Sequence, residues 1–252
     1  MDGTFWFAIV LTTFAGLSTT LGSLIAIFYN KPSPSYMAFT MGFSAGVMIF
    51  VSFAELLPLA VETIGFGYSN FAFFIGMIAI LIIDFLLPHS YILEECKSQN
   101  DSKPDLRKTA IFVAFGIAIH NFPEGIATFA GVMKDVNIGI SLAIAIAIHN
   151  IPEGIAVAVP VFISTGSRKK AFLWSFLSGV SEPMGALIAG LILMPILNDV
   201  LLSWILAGVA GIMVFISFDE LLPVSQSYGR EHISIIGVIS GMIIMAVSLA
   251  LF

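Results

Sequence analysis

Charged residues are scarce in this chain of 252 residues. Only 10% of the sequence is Asp, Glu, Lys or Arg, whereas soluble globular proteins carry about 25%. Hydrophobic residues make up 58% of the chain and the mean hydropathy is +1.03. This composition excludes an ordinary soluble domain. It predicts an integral membrane protein, with a single transmembrane domain over residues 1–252.

Cysteine and basic residues are also few. Cys96 is the only cysteine, which excludes an intrachain disulfide and a metal site built from cysteines. The chain has 10 Lys and Arg against 16 Asp and Glu, for a net charge of −6. A nucleic-acid partner requires a basic surface. We therefore expect a lipid bilayer around the protein and no nucleic-acid partner.

Long apolar runs are what the sequence has in abundance. A helix needs about 20 apolar residues to cross a bilayer, and eight segments meet that length. Barrel strands are excluded because they are short and alternate apolar with polar residues. The predicted spans are 4–28, 37–60, 70–90, 109–132, 137–160, 170–194, 199–222 and 231–251. The sequence thus predicts an all-α membrane protein with eight transmembrane helices.

Basic residues are concentrated in alternate loops. Nine of the ten lie in or beside the loops that follow the first, third, fifth and seventh spans, and Lys134 lies on the opposite side. Cytoplasmic loops carry an excess of Lys and Arg, so the polar loop 91–108 is predicted to be cytoplasmic. Both termini are then extracytoplasmic. The predicted location is the cell membrane, which the chain crosses several times.

Several spans repeat one another. Helices 4 and 5 share the sequence His-Asn-x-Pro-Glu-Gly-Ile-Ala at 120–127 and 149–156. Helices 2 and 7 share a longer motif that ends in Glu-Leu-Leu-Pro, at 46–58 and 211–223, and helices 1 and 6 match weakly. Because the paired helices run in opposite directions, the chain is predicted to form a 3+2+3 inverted repeat. This symmetry is typical of secondary transporters, whose substrate site lies near the middle of the membrane.

The doubled motif places ionisable groups near the middle of two predicted spans. Such groups are costly at that depth and are typically functional. The His and the Glu of each copy are four residues apart, so they share a helix face. The four ligands that tetrahedral zinc requires are then supplied by His120, Glu124, His149 and Glu153. Imidazole with carboxylate also suits iron, manganese, cobalt and nickel.

Three further groups could hold a second ion beside the first. Asn121 and Asn150 follow the two histidines, and Glu182 precedes Pro183 in the sixth span. A proline inside a helix removes a hydrogen bond, so Pro183 and the prolines of the doubled motif predict broken helices at this site. No Lys or Arg lies deep in any span. This absence disfavours an anion site and favours a dication.

Some of these residues have a second interpretation. The two motif asparagines could join helices by hydrogen bonds. Glu55, Asp219 and Glu220 lie near predicted helix ends and could be solvated caps. Two Gly-x-x-x-Gly pairs, at 42–46 and 237–241, predict close helix packing either within one chain or between two copies.

These motifs resemble those of the ZIP (Zrt/Irt-like) family of divalent-metal transporters, in particular its bacterial branch of broad-specificity zinc importers. The resemblance rests on His-Asn-Phe-Pro-Glu-Gly at 120–125, His-Asn-Ile-Pro-Glu-Gly at 149–154 and Ser-Glu-Pro at 181–183, and it extends over all eight spans. It implies import of zinc into the cytoplasm and no enzymatic activity. Fe²⁺, Mn²⁺, Co²⁺ and Cd²⁺ are candidate co-substrates. No cofactor is expected beyond the transported and bound ions.

The resemblance also implies a binuclear metal centre between helices 4, 5 and 6. The first ion would be bound by His120, Glu124, His149 and Glu153. The second would be bound by Asn121, Asn150 and Glu182, with Glu124 and Glu153 bridging the two ions. Family members are often homodimers and are thought to move one helix bundle rigidly against another. Many have a His-rich loop between helices 3 and 4, but the loop 91–108 contains no His.

Two other functions share part of this pattern. A metal-selective channel on the same scaffold cannot be separated from a carrier by sequence. An intramembrane metallo-hydrolase would also place His and Glu around zinc. However, the chain lacks His-Glu-x-x-His, and a site repeated twofold suits passage better than catalysis. We therefore predict a transporter. Its activity should fall at low pH, because protonation of His or Glu expels a bound metal.

Overall fold

A computed structural model describes residues 3–28, 33–86, 121–196 and 198–251, which are almost entirely helical and contain no strand. The helices are α1 (Gly3–Phe28), α2 (Pro34–Val51), α3 (Leu57–Leu86), α4 (121–134), α5 (Val136–Thr165), α6 (Arg168–Leu193), α7 (Asp199–Ile216), α8 (Leu222–Ser227) and α9 (Glu231–Leu251). The prediction of an all-α protein is confirmed for these residues. His120, Cys96 and the loop 91–108 lie outside them.

Six stretches of the described part are long and apolar enough to cross a membrane. One of them, Pro34–Phe85, is 52 residues long, whereas a span needs about 20. It divides at Gly65, where φ is 80° and ψ is 163°, a backbone conformation that only glycine adopts readily. The two halves correspond to the predicted second and third spans. The predicted gap between residues 60 and 70 is wrong, because Gly65 alone separates the two helices.

Two π-helical segments, Ser52–Leu56 and Ser217–Leu221, follow α2 and α7. Each lies just before a proline of the Glu-Leu-Leu-Pro motif, Pro58 or Pro223. A proline cannot donate a backbone hydrogen bond, and its ring clashes with the carbonyl four residues earlier. The wider π turn gives that carbonyl room. The repeated motif therefore produces the same local distortion in both halves of the chain.

The Glu-Leu-Leu-Pro motifs do not end their helices. The first helix continues to the break at Gly65, and the second continues through α8. Glu55, Asp219 and Glu220 therefore lie inside the π-helical segments. The interpretation of these three residues as helix-end caps is wrong.

Pro152 and Pro183 do not break their helices, contrary to the prediction. α5 and α6 each run without interruption through these residues. Pro183 leaves the Gly179 carbonyl without its usual helical donor. That oxygen lies against Gly16 of α1, 2.3 Å from the position that a Cβ there would occupy. α6 is therefore continuous and lies in close contact with α1 at the point where the proline removes a bond.

The helices pack in two groups. In the first group, α1 and α4 both lie against α5 and α6. In the second group, α2 packs on α9, and α3 packs on α7. Contact between α2 and α5 joins the two groups. Because lipid gives helices no hydrophobic reason to associate, such packing depends on close contact through small residues.

The two Gly-x-x-x-Gly faces interlock within the chain. A Cβ at Gly42 would lie 2.3 Å from the Ser234 carbonyl oxygen, and one at Gly46 would lie 2.1 Å from the Val238 carbonyl oxygen. The reciprocal contacts made by the glycines of α9 are as close. The two faces are therefore partners within one chain. Their residue numbers rise together along the contact, so α2 and α9 run parallel.

The largest apolar core lies where the two groups meet. It includes buried residues of α2, α4, α5 and α7: Met41, Met48, Ala127, Ala130, Leu142, Ala145, Leu206 and Met213. At several described glycines, an added Cβ would lie closer than 3.0 Å to the backbone of another helix. In every such case, the two helices belong to the same group. Close backbone contact thus holds together the first group and, in the second group, each of the pairs α2–α9 and α3–α7. Side chains fill the space between the groups.

One charged side chain links the two groups at the turn between α4 and α5. Lys134 Nζ donates hydrogen bonds to the Leu59 carbonyl (2.9 Å) and to Thr63 Oγ1 (3.0 Å). These acceptors lie near the C-terminal end of the helix that Gly65 terminates, where a cation is favourable. We expect Lys134→Met to lower the free energy of unfolding by about 1 kcal/mol, because the bonds are partly exposed. Thermal unfolding in detergent would measure the change.

Lys169→Met is the matched control for this substitution. Lys169 is exposed near the start of α6, so its removal should leave the unfolding transition unchanged. An equal shift in the two variants would show that the Lys134 bonds add no stability.

Candidate metal centre

Glu124, His149 and Glu153 form a buried cluster between α4 and α5. One ligand atom from each of the three side chains lies within 4.8 Å of the others. All three residues are 0% exposed. His149 Nε2 lies 3.1 Å from Glu124 Oε1. Two carboxylates and an imidazole at this separation form a donor set that suits zinc and related dications.

The hairpin of α4 and α5 brings these residues together. Asp135 alone separates the two helices, and its carboxylate accepts a hydrogen bond from the Asn137 N–H at 2.8 Å, which caps α5. The two helices can approach this closely because Gly139 has no Cβ. A Cβ there would lie only 2.7 Å from the backbone of Val132. The histidine and the glutamate of α5 are four residues apart, so they share the face that meets α4. Local spacing and one tight turn therefore build the cluster.

Glu182 and Asn150 lie beside this cluster. Asn150 Nδ2 donates to Glu182 Oε1 and to the Ala15 carbonyl oxygen of α1, the latter at 2.9 Å. Both side chains are fully buried. The amide nitrogen of Asn150 thus ties α5 to α6 and to α1. A metal would be bound through its oxygen atom, Oδ1.

Asn121 lies on α4, close to α6. Its Nδ2 donates to the Ser178 carbonyl at 3.4 Å. Nearby, a Cβ at Gly125 would lie 1.9 Å from the Glu182 carbonyl oxygen, so the backbones of α4 and α6 touch at the level of Glu182. Both asparagines therefore join helices through Nδ2, as one of the two sequence interpretations has it. Coordination of a metal by their oxygens is compatible with these bonds.

Several buried oxygens of the site have no hydrogen-bond partner among the described residues. They are Glu124 Oε2, Asn150 Oδ1 and Glu182 Oε2. A charged side chain at the centre of a bilayer costs about 3 kcal/mol on insertion scales. The neighbouring stretches of α4, α5 and α6 contain no Lys or Arg. A bound cation would supply both the missing contacts and the missing positive charge.

The structure brings together five of the seven predicted site residues: Glu124, His149, Asn150, Glu153 and Glu182. Asn121 contacts α6 at Ser178, one helical turn from Glu182. His120 lies outside the described residues. Two further groups reach the site. The Ala15 carbonyl belongs to the backbone, so no pattern of residue types could indicate it. Ser44 of α2 donates to the His149 carbonyl at 3.5 Å. The only feature of the sequence that could have indicated this contact is the presence of a serine within an apolar span.

Known proteins resemble this chain along its whole length. Residues 86–249 match a family model described as ZIP zinc transporter. The zinc transporter ZupT of Streptococcus mutans serotype c is 51% identical over 97% of each chain. ZupT of Lysinibacillus sphaericus is 50% identical, over 100% of this chain and 99% of its own. ZupT of Nitratidesulfovibrio vulgaris is 45% identical over the same shares.

Proposed function

The chain belongs to the ZIP zinc transporter family, and from this membership we propose that it imports zinc into the cytoplasm through the site between α4, α5 and α6. Members of the family are transporters and not enzymes, and the chain is a multi-pass protein of the cell membrane. The observation that carries the proposal is the buried cluster of Glu124, His149 and Glu153, whose ligand atoms lie within 4.8 Å of one another.

We propose that the site holds two ions. The first would be bound by His120, Glu124, His149 and Glu153. The second would be bound by Asn121, Asn150 and Glu182, with Glu124 and Glu153 bridging the two ions. The oxygens of Glu124, Asn150 and Glu182 that lack hydrogen-bond partners among the described residues support the second set. Each of them is an atom that a second cation could contact.

The mixture of ligands supports a broad range of metals. Imidazole suits zinc, iron and related transition metals, whereas carboxylate and amide oxygens also suit manganese. No described residue of the cluster supplies a thiolate, the ligand that would select most strongly for soft metals. We therefore propose Fe²⁺, Mn²⁺, Co²⁺ and Cd²⁺ as further substrates beside Zn²⁺.

We also propose that residues 1–252 form one domain of eight spans in a 3+2+3 inverted repeat, with both termini extracytoplasmic. In such a repeat, α2 corresponds to α7, and the third span, which belongs to α3, corresponds to α9. The contact between α2 and α9 should therefore have a counterpart between α7 and α3. Both contacts occur. Gly16 meets Gly179 while Thr19 meets Ser175, so α1 and α6 run antiparallel, as the repeat requires.

Transport requires that the site face each side of the membrane in turn. We propose that the two helix groups move rigidly against each other. Close backbone contacts within each group, and side-chain contacts between the groups, support this motion. We also propose a homodimer, as the family resemblance implies. In it, the two helix groups of each copy would move against each other independently of the other copy.

Zinc uptake into proteoliposomes tests the function, with the wild type beside Glu153→Ala and with iron and cadmium as competitors. We expect uptake by the wild type and none by the variant, because Glu153 is fully buried within the cluster. Glu62→Ala removes an exposed carboxylate and should transport normally. The competition ranks the metals. Equal uptake by the wild type and Glu153→Ala would show that the ion does not pass through this site.

The same vesicles distinguish a carrier from a channel. A carrier binds one set of ions in each cycle, so its flux saturates with zinc concentration. A flux that rises in proportion to zinc at concentrations far above the apparent affinity would favour the channel.

A further inference from the structure

Many buried hydroxyl groups of this chain bond to their own helix. Thr12 Oγ1 donates to the Ala8 carbonyl four residues earlier at 2.7 Å. Ser52 and Ser217 make the same kind of bond at 2.7 and 2.8 Å. A hydroxyl used in this way satisfies its hydrogen-bonding need inside the helix.

Six buried hydroxyl groups among the described residues differ from these, and three of them lie near the metal centre; the other three are those of Thr20, Ser203 and Ser248. Thr128, Ser178 and Thr19 are each at most 1% exposed. Their hydroxyl groups have no hydrogen-bond partner among the described residues. A buried hydroxyl without a partner destabilises a protein, and each such group calls for an explanation. The positions of these three hydroxyl groups relative to the carboxylates suggest an explanation.

Thr128 and Ser178 lie one helical turn from the carboxylates of Glu124 and Glu182, respectively. Thr128 follows Glu124 by four residues on α4, and Ser178 precedes Glu182 by four residues on α6, so each hydroxyl shares a face with a carboxylate. Asn121 contacts Ser178, and four residues later in both helices Gly125 contacts Glu182. Because the residue numbers rise together, α4 and α6 run parallel. The two hydroxyl groups therefore lie on opposite sides of the carboxylates along the helix axes.

Thr19 of α1 lies at the same level as Ser178. The Thr19 Cβ is 3.3 Å from the position that a Cβ at Gly179 would occupy. One turn earlier on α1, the Ala15 carbonyl meets Asn150 at the level of the carboxylates. Thr19 and Ser178 thus flank Glu124 and Glu182 on one side, at the level of Glu153, since Gly154 packs against the backbone of Thr19. Thr128 flanks Glu124 and Glu182 on the other side.

We propose that these three hydroxyl groups are neutral ligands that bind the divalent ion as it approaches and leaves the carboxylates. The inference rests on the proposed function and extends the path on both sides of the site. A neutral oxygen can replace a water of hydration without the strong attraction of a carboxylate, so the ion is held only weakly and can move on. Oxygen ligands also suit a hard ion such as Mn²⁺ better than a soft ion such as Cd²⁺. The hydroxyl groups would therefore influence which metals pass.

Initial uptake rates of Mn²⁺ and Cd²⁺ into proteoliposomes test the proposal. The test variants are Thr128→Val, Ser178→Ala and Thr19→Val, each of which removes a hydroxyl and keeps most of the side-chain shape. The controls are Thr12→Val and Ser52→Ala, which remove buried hydroxyl groups that bond to their own helix. We expect each test variant to lower the Mn²⁺ rate relative to the Cd²⁺ rate by about fivefold, the effect of one neutral polar contact. The controls should keep the wild-type ratio.

Melting temperatures separate the loss of a ligand from misfolding. Removal of a buried hydroxyl that has no partner also removes its desolvation penalty, so the three test variants should melt at or above the wild-type temperature. The two controls lose a hydrogen bond and should melt lower. A changed metal ratio in a variant that melts lower than wild type would indicate a structural role and would overturn the proposal.

The wild type separates this inference from the proposed function. Absence of uptake by the wild type would contradict the function itself. Uptake by the wild type with an unchanged Mn²⁺ to Cd²⁺ ratio in all three test variants would contradict the hydroxyl ligands alone.

Discussion

Replacement of Glu124 by glutamine is expected to abolish zinc uptake while the protein stays folded in the membrane. Glu124 Oε1 lies 3.1 Å from His149 Nε2, and Oε2 has no partner among the described residues. Glutamine keeps the size of the side chain but removes the negative charge and one of the two oxygens. Groups that merely support a metal ligand change affinity by about 10–100-fold when mutated. Loss of Glu124, which we propose to bridge the two ions, should exceed the upper figure.

Glu62→Gln is the matched control for charge, since Glu62 is exposed. Initial rates of radioactive zinc uptake, with equal amounts of reconstituted protein, would measure both variants. The glutamine substitution is more informative than alanine because it creates no cavity. Wild-type uptake by Glu124→Gln would rule out this carboxylate as a ligand and would leave the buried cluster without a transport role.

Gly125→Ala is expected to destabilise the protein and to disrupt the site together. A Cβ at Gly125 would lie 1.9 Å from the Glu182 carbonyl oxygen and 2.7 Å from its carbonyl carbon. Both obstructing atoms belong to the backbone, so α4 has to move away from α6. Overpacking of this kind costs about 1–3 kcal/mol and occasionally more. The movement also separates Glu124 from Glu182, and a binding constellation tolerates displacements of only about 0.5 Å.

Gly67→Ala provides the comparison for this glycine. No atom lies within 4 Å of a Cβ at Gly67, and alanine favours a helix over glycine by about 1 kcal/mol. This variant should melt at or slightly above the wild-type temperature and should transport zinc normally. A Gly125→Ala protein with the same melting temperature and uptake as Gly67→Ala would mean that α4 and α6 do not touch at this level.

The predicted spans agree with the described helices to within a few residues at most ends. Hydrophobic runs are informative here because bilayer thickness sets the length of each run. The prediction failed where packing overrides local propensity. Pro183 removes a helical hydrogen bond, yet α6 continues through it, with the Gly179 carbonyl packed against Gly16 of α1. The break between the second and third spans was predicted, but its extent was not: a gap over 60–70 was expected, and the structure has a single non-helical residue, Gly65.

The proximity of His149 and Glu153 was predictable from spacing because both residues belong to one helix. His149 and Glu153 share a face of α5 by their separation of four residues, and the cluster confirms that both are buried beside Glu124. The role of Asn150 was ambiguous. A hydrogen-bonding side chain and a metal ligand look alike in sequence, and only the positions of Ala15 and Glu182 reveal what its amide contacts.

The sequence by itself determined that this chain is helical, lies in a membrane and carries a doubled motif of His, Asn and Glu. Composition, run length and residue spacing are properties of single helices, so they can be read without a fold. Only the tertiary structure decided that Glu124 meets His149, that Asn150 joins Glu182 to Ala15, and that the two Gly-x-x-x-Gly faces pair within one chain. These contacts depend on how close two helices come and how they are turned toward each other. Packing among all the helices sets both, and no local pattern specifies them.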